Sequence, residues 1–293
     1  MDGFQSRVGV IREKGQILTS GTSLSCPCDK PEPAPAFQYN QPPDGETRFD
    51  WREQTYQRGY MKCRNCGHWH AEIQMDLTDF YRGGYVDGTY GDRLKENFKR
   101  ILALPENQSD NAARVKRVLD FAKRKWGEKK TPNLLDVGSG LAVFPFRMQE
   151  AGWQVTALDP DERAAAHARE NAGVKSVHAD FLKWEPQTEE RFDVITLNKV
   201  LEHVEEPITM MMHARKWIRP GGFLYIEVPD VTAAQEGPGR EEFFIEHLHV
   251  FSKSSLGSVA QKAGWGADSV LQLQERSGKF SLCTFFHENE KTC

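Results

Sequence analysis

The stretch "LLDVGSG", Leu134–Gly140, decides the fold. Leu134, Leu135 and Val137 build a short buried strand, and Asp136 sits at its carboxyl end. Gly138 and Gly140 then permit a tight turn and a close approach of backbone to a ligand. A dinucleotide site would continue as G-x-G-x-x-G. Val143 stands where its third glycine belongs, which weakens a nicotinamide reading.

Working downstream, "VFPFRMQEAG" reads as a short helix and "WQVTALDP" as the next strand. "DERAAAHARENAG" is a helix ending at Gly173, and "VKSVHAD" and "RFDVITLN" are strands. "PITMMMHARKWIRPGG" is a helix closed by a Pro-Gly-Gly turn, "FLYIEVPD" a strand and "SKSSLGSVAQKAG" a helix. "SVLQLQE" and "FSLCTFF" are closing strands. Repeated β-α-β units with short links predict a parallel sheet covered by helices on both faces. Asp159 ends the second strand, where both oxygens of a carboxylate can accept from paired ribose hydroxyls. Asp180 follows the third strand, placed to accept from an exocyclic amino group, with Phe181 or Leu182 against a purine face.

The series "LLDVGSG", "VTALDP", "HADF", "FDVITLNKVLEHV" and "RPGGFLYIEVPD" resembles the class I S-adenosylmethionine-dependent methyltransferases. The resemblance implies a Rossmann-like α/β domain with a seven-stranded sheet. It puts the cofactor's amino-acid portion at the Gly138–Gly140 loop beside Asp136, its ribose on Asp159, and its adenine at Asp180 and Phe181. Asn198 and its neighbours would line the wall near the sulfonium. Ala142 stands where many members carry a further glycine.

Upstream, "NAARVKRVLDFAKRKW" puts Val115, Val118, Leu119, Ala122 and Trp126 on one helical face, with Ser109 or Asp110 at its start. Its Lys and Arg residues read as a solvated face. Earlier still, "KPEPAPAFQYNQPPDGE" has too many prolines for a helix or a central strand. Four cysteines fall in two close pairs, Cys26/Cys28 and Cys63/Cys66, which read as the ligands of a tetrahedral structural zinc. Gly67 lets the chain turn back under the metal, and His68 and His70 are spare ligands. Three regions follow: a zinc-binding lobe over residues 1–75, a helical connector over 76–130, and the methyltransferase domain over 131–293.

The layout also resembles a narrower group, sugar-modifying methyltransferases with an amino-terminal four-cysteine module. Like them it carries a Tyr-rich stretch ("FYRGGYVDGTYG"), a helix start ("SDNAARV") and an acidic-His segment ("IEHLHVFS"). Carbon-methylating members have Tyr where this chain has Phe244. Methyl transfer to a hydroxyl or a carbon acid needs a base, and a histidine works near neutral pH. His247 is the first candidate, with Glu246 as its partner and His249 as a second candidate. In an extended segment Glu246 and His247 point to opposite faces, so they share a site only if the chain turns. Tyr85, Tyr90 and Arg114 are expected to close the cofactor's carboxylate end.

Composition bounds the alternatives. The 293 residues are 39% hydrophobic and 27% charged, the balance of a soluble chain with a core. A net charge of -4 does not favour nucleic acid. No apolar run is long enough for a membrane span, and "MDGFQSRVGVIREKGQ" lacks a signal peptide's apolar core, so the expected location is cytoplasmic. The expected acceptor is a small molecule, a sugar or sugar nucleotide first, with O- or N-methylation of a quinone or lipid precursor as the alternative. A non-catalytic cofactor-binding module is the reading from another class. Oligomeric state is not legible.

Overall fold

The computed structural model describes residues 24–47, 54–73, 75, 93–127, 131–185, 190–267 and 269–288. Its main sheet is built from β4 (Asn133–Val137), β5 (Gln154–Asp159), β6 (Lys175–His178), β7 (Phe192–Asn198), β8 (Ile218–Pro229), β10 (Trp265–Ala267), β11 (Leu271–Gln274) and β12 (Phe280–Glu288). The path is β6-β5-β4-β7-β8-β12-β10, with β11 paired to β12 off that path; the seven strands read from the sequence are all present, β11 among them, and β10 is added. β6 through β8 pair in parallel, and β12 runs antiparallel to β8. β10 and β11 share the far edge of β12: Trp265–Ala267 lie opposite Phe286–Glu288, and Leu271–Gln274 opposite Phe280–Cys283. The short β10 is thus the eighth strand, without a signal in the sequence pattern.

Alternate residues of the central strands feed two cores, one on each face of the sheet. Leu135, Val137, Ile195, Leu197, Leu224 and Ile226 pack under α5 (Pro207–Trp217) and α6 (Lys253–Lys262). Leu134, Val194, Phe223 and Tyr225 face α1 (Leu94–Leu102), α2 (Asp110–Trp126), α3 (Val143–Glu150) and α4 (Glu162–Glu170). Ser109 caps α2 by accepting from the Ala112 amide. Val118 and Ala122 are buried on its apolar face, as the spacing predicts.

The amino-terminal lobe is a four-stranded sheet, β1 (Pro33–Tyr39), β2 (Arg58–Cys63), β3 (Trp69–Ile73) and β9 (His249–Val250), in that order. The proline-rich β1 takes an edge, where a missing amide costs no ladder bond. The fourth strand comes from the far end of the chain: Trp69 pairs with Val250 and His70 with His249. Phe243, Ile245, Leu248 and Val250 share one core with Tyr39, Tyr60 and Trp69. The lobe's packing therefore includes residues from beyond position 131. Among the described residues no helix is long and apolar enough to cross a membrane.

Candidate functional site

The carboxyl ends of β4, β5 and β7 converge. After β4 the chain turns sharply, with φ of 69° at Gly138, 49° at Gly140 and 55° at Ala142. The Gly138 amide donates to the Leu158 carbonyl at 2.8 Å, fastening the turn to β5. Asp159 Oδ2 accepts from the Gly140 amide at 2.8 Å, and Oδ1 from the Asp161 amide at 2.9 Å. Burial pushes this carboxyl up to about 6 despite those two amides. It is still ionised at neutral pH, with lone pairs on both oxygens left for a diol.

Asp136 is nearly fully buried, and its Oδ1 accepts from Thr196 Oγ1 at 2.6 Å and Asn198 Nδ2 at 2.9 Å. This fixes the orientation of the Asn198 amide, whose Oδ1 has no partner among the described residues. Asp180 is half-buried; it accepts from the Leu182 amide at 3.1 Å and pairs with Lys183 at 3.2 Å. Phe181 departs from expectation. It is 2% exposed, its ring set edge-on to His213 at 4.9 Å within the core. The ring is spent on packing, so of the two purine-facing alternatives the half-buried Leu182 remains.

Gly138 has no room for a side chain. An added Cβ would lie 2.8 Å from Val200 Cγ2, at a φ that L-residues avoid. Gly138→Ala is expected to cost about 2–3 kcal/mol from backbone strain and overpacking together. Thermal unfolding would show a lowered midpoint, and calorimetry a weaker cofactor analogue.

Two expectations for catalysis change. His249 is 2% exposed in β9, with Nδ1 3.0 Å from His68 Nε2. It serves the seam between lobe and sheet and is not offered to an acceptor. His68 in turn meets Ser255 Oγ at 3.2 Å, so it is no spare metal ligand. Glu246 does not partner His247 through its carboxyl. Its backbone carbonyl instead accepts from His203 Nδ1 at 2.8 Å, and its buried carboxyl is pushed up to about 7 by desolvation. The chain does turn here: the His247 amide reaches the Phe244 carbonyl at 3.0 Å.

That turn brings His247 to Glu202 and His203. The 3-10 helix Leu201–His203 follows β7, and ligand atoms of Glu202, His203 and His247 lie within 4.8 Å of one another. The His203 and His247 rings are 4.9 Å apart. His247 Nδ1 donates to the Glu242 carbonyl at 3.1 Å, which leaves Nε2 carrying the lone pair. Glu202 is fully buried, and neither of its carboxylate oxygens has a partner among the described residues. Burial pushes it up to about 8, with Lys199 opposing. Burial lowers both histidines, so their rings are neutral at ordinary pH.

Arg114 is placed otherwise than expected. Its guanidinium is bidentate on Glu227, with Nε at 3.0 Å, and Glu275 lies 3.6 Å away. Arg117 reaches the same Glu227 at 2.8 Å and the Tyr225 hydroxyl at 3.2 Å. This face of α2 is thus not wholly solvated: two of its arginines neutralise a buried acid, and Arg114 is not free for a cofactor carboxylate. Tyr85 and Tyr90 lie outside the described residues.

In the lobe, the four cysteine sulfurs lie within 4.8 Å of one another. Cys26 is 3.1 Å from Cys66 and 3.4 Å from Cys28, and Cys28 is 3.8 Å from Cys63. A tetrahedron of zinc–sulfur bonds of about 2.3 Å has edges of about 3.8 Å. The set fits such an ion with little movement. Gly67, at φ 73°, makes the expected turn, its amide on the Cys63 carbonyl at 2.9 Å.

A family model described as a methyltransferase domain matches residues 94–270. The ubiquinone biosynthesis O-methyltransferase of Actinobacillus pleuropneumoniae serotype 5b (strain L20) is 32% identical over 123 residues, covering 39% of this chain and 53% of that protein. The protein of the same name from Vibrio cholerae serotype O1 (strain M66-2) is 32% identical over the same length, covering 39% and 47%. The chain spans about half the length of these curated relatives. Among solved structures, magnesium protoporphyrin IX methyltransferase from Synechocystis PCC 6803 superposes with a TM-score of 0.53 at 14% identity, covering 69% of this chain and 97% of that one. A Burkholderia thailandensis 1,6-didemethyltoxoflavin-N1-methyltransferase gives 0.53 at 19%, covering 78% and 98%. Both are similar in fold.

Proposed function

We propose that this chain, which belongs to the methyltransferase-domain family, transfers the methyl group of S-adenosylmethionine to a hydroxyl of a small molecule. The observation that carries the reading is the joined edge of β4, β5 and β7. There Asp159 is fastened to the Gly140 amide, and the Asp136–Asn198 bond leaves the buried Asn198 Oδ1 without a partner among the described residues. When bound, the cofactor supplies an electrophilic methyl on a sulfonium. The Gly138–Gly140 turn would hold its amino-acid portion, Asp159 its ribose, Asp180 and Leu182 its adenine, and Asn198 the region of the sulfonium.

Glu202, His203 and His247 activate the acceptor hydroxyl. Glu202 and His203 follow Asn198 and Val200 in the chain, and Val200 lies against Gly138, so the cluster borders the cofactor loop. Of the catalytic candidates, His247 keeps its place. His247→Ala is expected to lower turnover about 100-fold, within the range for a residue that handles the acceptor proton. Affinity for S-adenosylhomocysteine should stay near that of the parent. Equal turnover in both would remove His247 from the mechanism.

For the acceptor we favour a quinone precursor. The support is the name shared by the curated relatives, which match 39% of this chain. A sugar or sugar nucleotide is the second reading, favoured by the four-cysteine lobe ahead of the domain. Phe244 in place of Tyr weighs against carbon methylation of a keto-sugar. Incubation of the full chain with methyl-labelled cofactor and a panel of hydroxylated quinone precursors and sugar nucleotides decides between them. Label in the phenolic products supports the first, label in sugars the second, and label in neither class rejects both.

We assign the cysteine cluster to a structural zinc, with no open coordination position. Metal analysis should find about one tightly held zinc per chain. Cys63→Ser should lose it, along with the lobe's protection from proteolysis. Metal-free protein with an intact lobe would end the assignment.

A further inference from the structure

The cluster of Glu202, His203 and His247 has a composition that acid-base work does not require. Two imidazoles and one carboxylate are the donor set of open divalent metal sites, which keep positions for water or substrate. Each histidine also has the supporting contact that metal-bound histidines show. His203 Nδ1 is on the Glu246 carbonyl at 2.8 Å and His247 Nδ1 on the Glu242 carbonyl at 3.1 Å. A carbonyl only accepts, so both Nδ1 atoms carry the hydrogen and both Nε2 atoms carry the lone pair. The third member is a glutamate with 0% exposure and two oxygens that no described residue satisfies. A buried carboxylate left that way is costly unless something binds it.

Among the described residues the cation acting most strongly on Glu202 is Lys199, and its hydrogen bonds go elsewhere. Its ammonium meets Glu275 at 3.0 Å and bonds Ser281, with Glu227 at 3.8 Å. The backbone also holds the cluster in place: the Leu248 amide donates to the Glu202 carbonyl at 2.6 Å, and the Tyr60 hydroxyl donates to the carbonyls of Phe244 and His247. Both segments that supply ligands are therefore fixed from outside the cluster.

We propose that Glu202, His203 and His247 bind a divalent transition-metal cation beside the cofactor edge, separate from the cysteine site and with room in its coordination for an acceptor oxygen. The proposed function supplies the reason for such an ion: a hydroxyl on a cation ionises more readily. The binding itself does not rest on that function. In the loaded site His247 acts as a ligand.

The test uses the full chain as purified, so that any cysteine-bound metal stays in place. Mn²⁺ is titrated and the free ion is followed by its electron paramagnetic resonance signal. The parent is expected to take up about one Mn²⁺ per chain, the count for one three-ligand site. Glu202→Gln and His247→Gln, which each remove a ligand, should weaken uptake at least about tenfold with zinc content unchanged and the fold retained by circular dichroism. No uptake by the parent, or equal uptake by parent and both variants, overturns the proposal. If uptake fails while acceptor methylation proceeds, the metal site falls and the proposed function stands. If uptake follows the pattern with no acceptor turned over, the metal site stands and the acceptor reading falls.

Discussion

Asp159→Ala lowers affinity for S-adenosylhomocysteine by at least about 100-fold in a calorimetric titration. The ribose of that ligand offers two adjacent hydroxyls, and a carboxylate accepts from both. Each hydrogen bond to a charged group contributes about 1.5–3 kcal/mol, and 1.4 kcal/mol is tenfold in affinity. The loss has a second origin. The Gly140 and Asp161 amides bond the same carboxylate at 2.8 and 2.9 Å, so its removal also frees the glycine turn. Asp159→Asn separates the two effects. It retains an acceptor oxygen for one of the two amides but presents a donor to the diol, so thermal stability should return in part while affinity does not. Parent-like affinity in Asp159→Ala would refute the cofactor assignment for this edge.

Arg114→Ala destabilises the fold by about 3–5 kcal/mol in denaturant titration, the loss typical when one partner of a buried ion pair is removed. Glu227 has no exposure, and the Arg114 side chain is 11% exposed. Burial alone would raise the Glu227 carboxyl, yet Arg114 and Lys199, then Arg117, hold it well below the usual range. Without Arg114 that charge remains with Arg117 at 2.8 Å and Lys199 at 3.8 Å. The sign with pH follows. A depressed folded-state carboxyl contributes stability above its unfolded value and loses it as acid protonates it. The parent should therefore lose more stability than Arg114→Ala on acidification, and the two curves should approach each other at low pH. A loss under about 1 kcal/mol would mean that Arg117 and Lys199 suffice for Glu227.

The parts of the site that the sequence reveals are those set by local spacing. Gly138, Gly140 and Asp159 lie on consecutive strand ends, and alternating apolar residues locate those ends. Asp136 ends the first of those strands, whereas Asn198 is singled out only by the resemblance to the methyltransferase motif series. Arg114 eluded local spacing because a helix pattern marks an apolar face but cannot say which charged neighbours turn inward. Their target, Glu227, sits in a strand whose residues read as uniformly core. The pairing of His249 with His70 is a two-residue match across most of the chain, too short to leave a period. Glu202 and His203 did leave a signal, an acid and an imidazole in an otherwise apolar turn at a strand end. Only the bend after Phe244 shows what they face. Phe181 was placed on the ligand by motif order, and core packing against His213 overrode that.

The strand His249–Val250 has a bearing on how such proteins diversify. A lobe that folded by itself could be exchanged between relatives as a cassette. This one cannot, because half of its apolar interior and one edge of its sheet are encoded after the nucleotide-binding strands. Recombination at a single crossover would leave a foreign ribbon against the old β3 and mismatch the aromatic contacts around Phe243. Viable chimeras must carry both segments together, residues 24–75 with 231–252, and His247 travels with them.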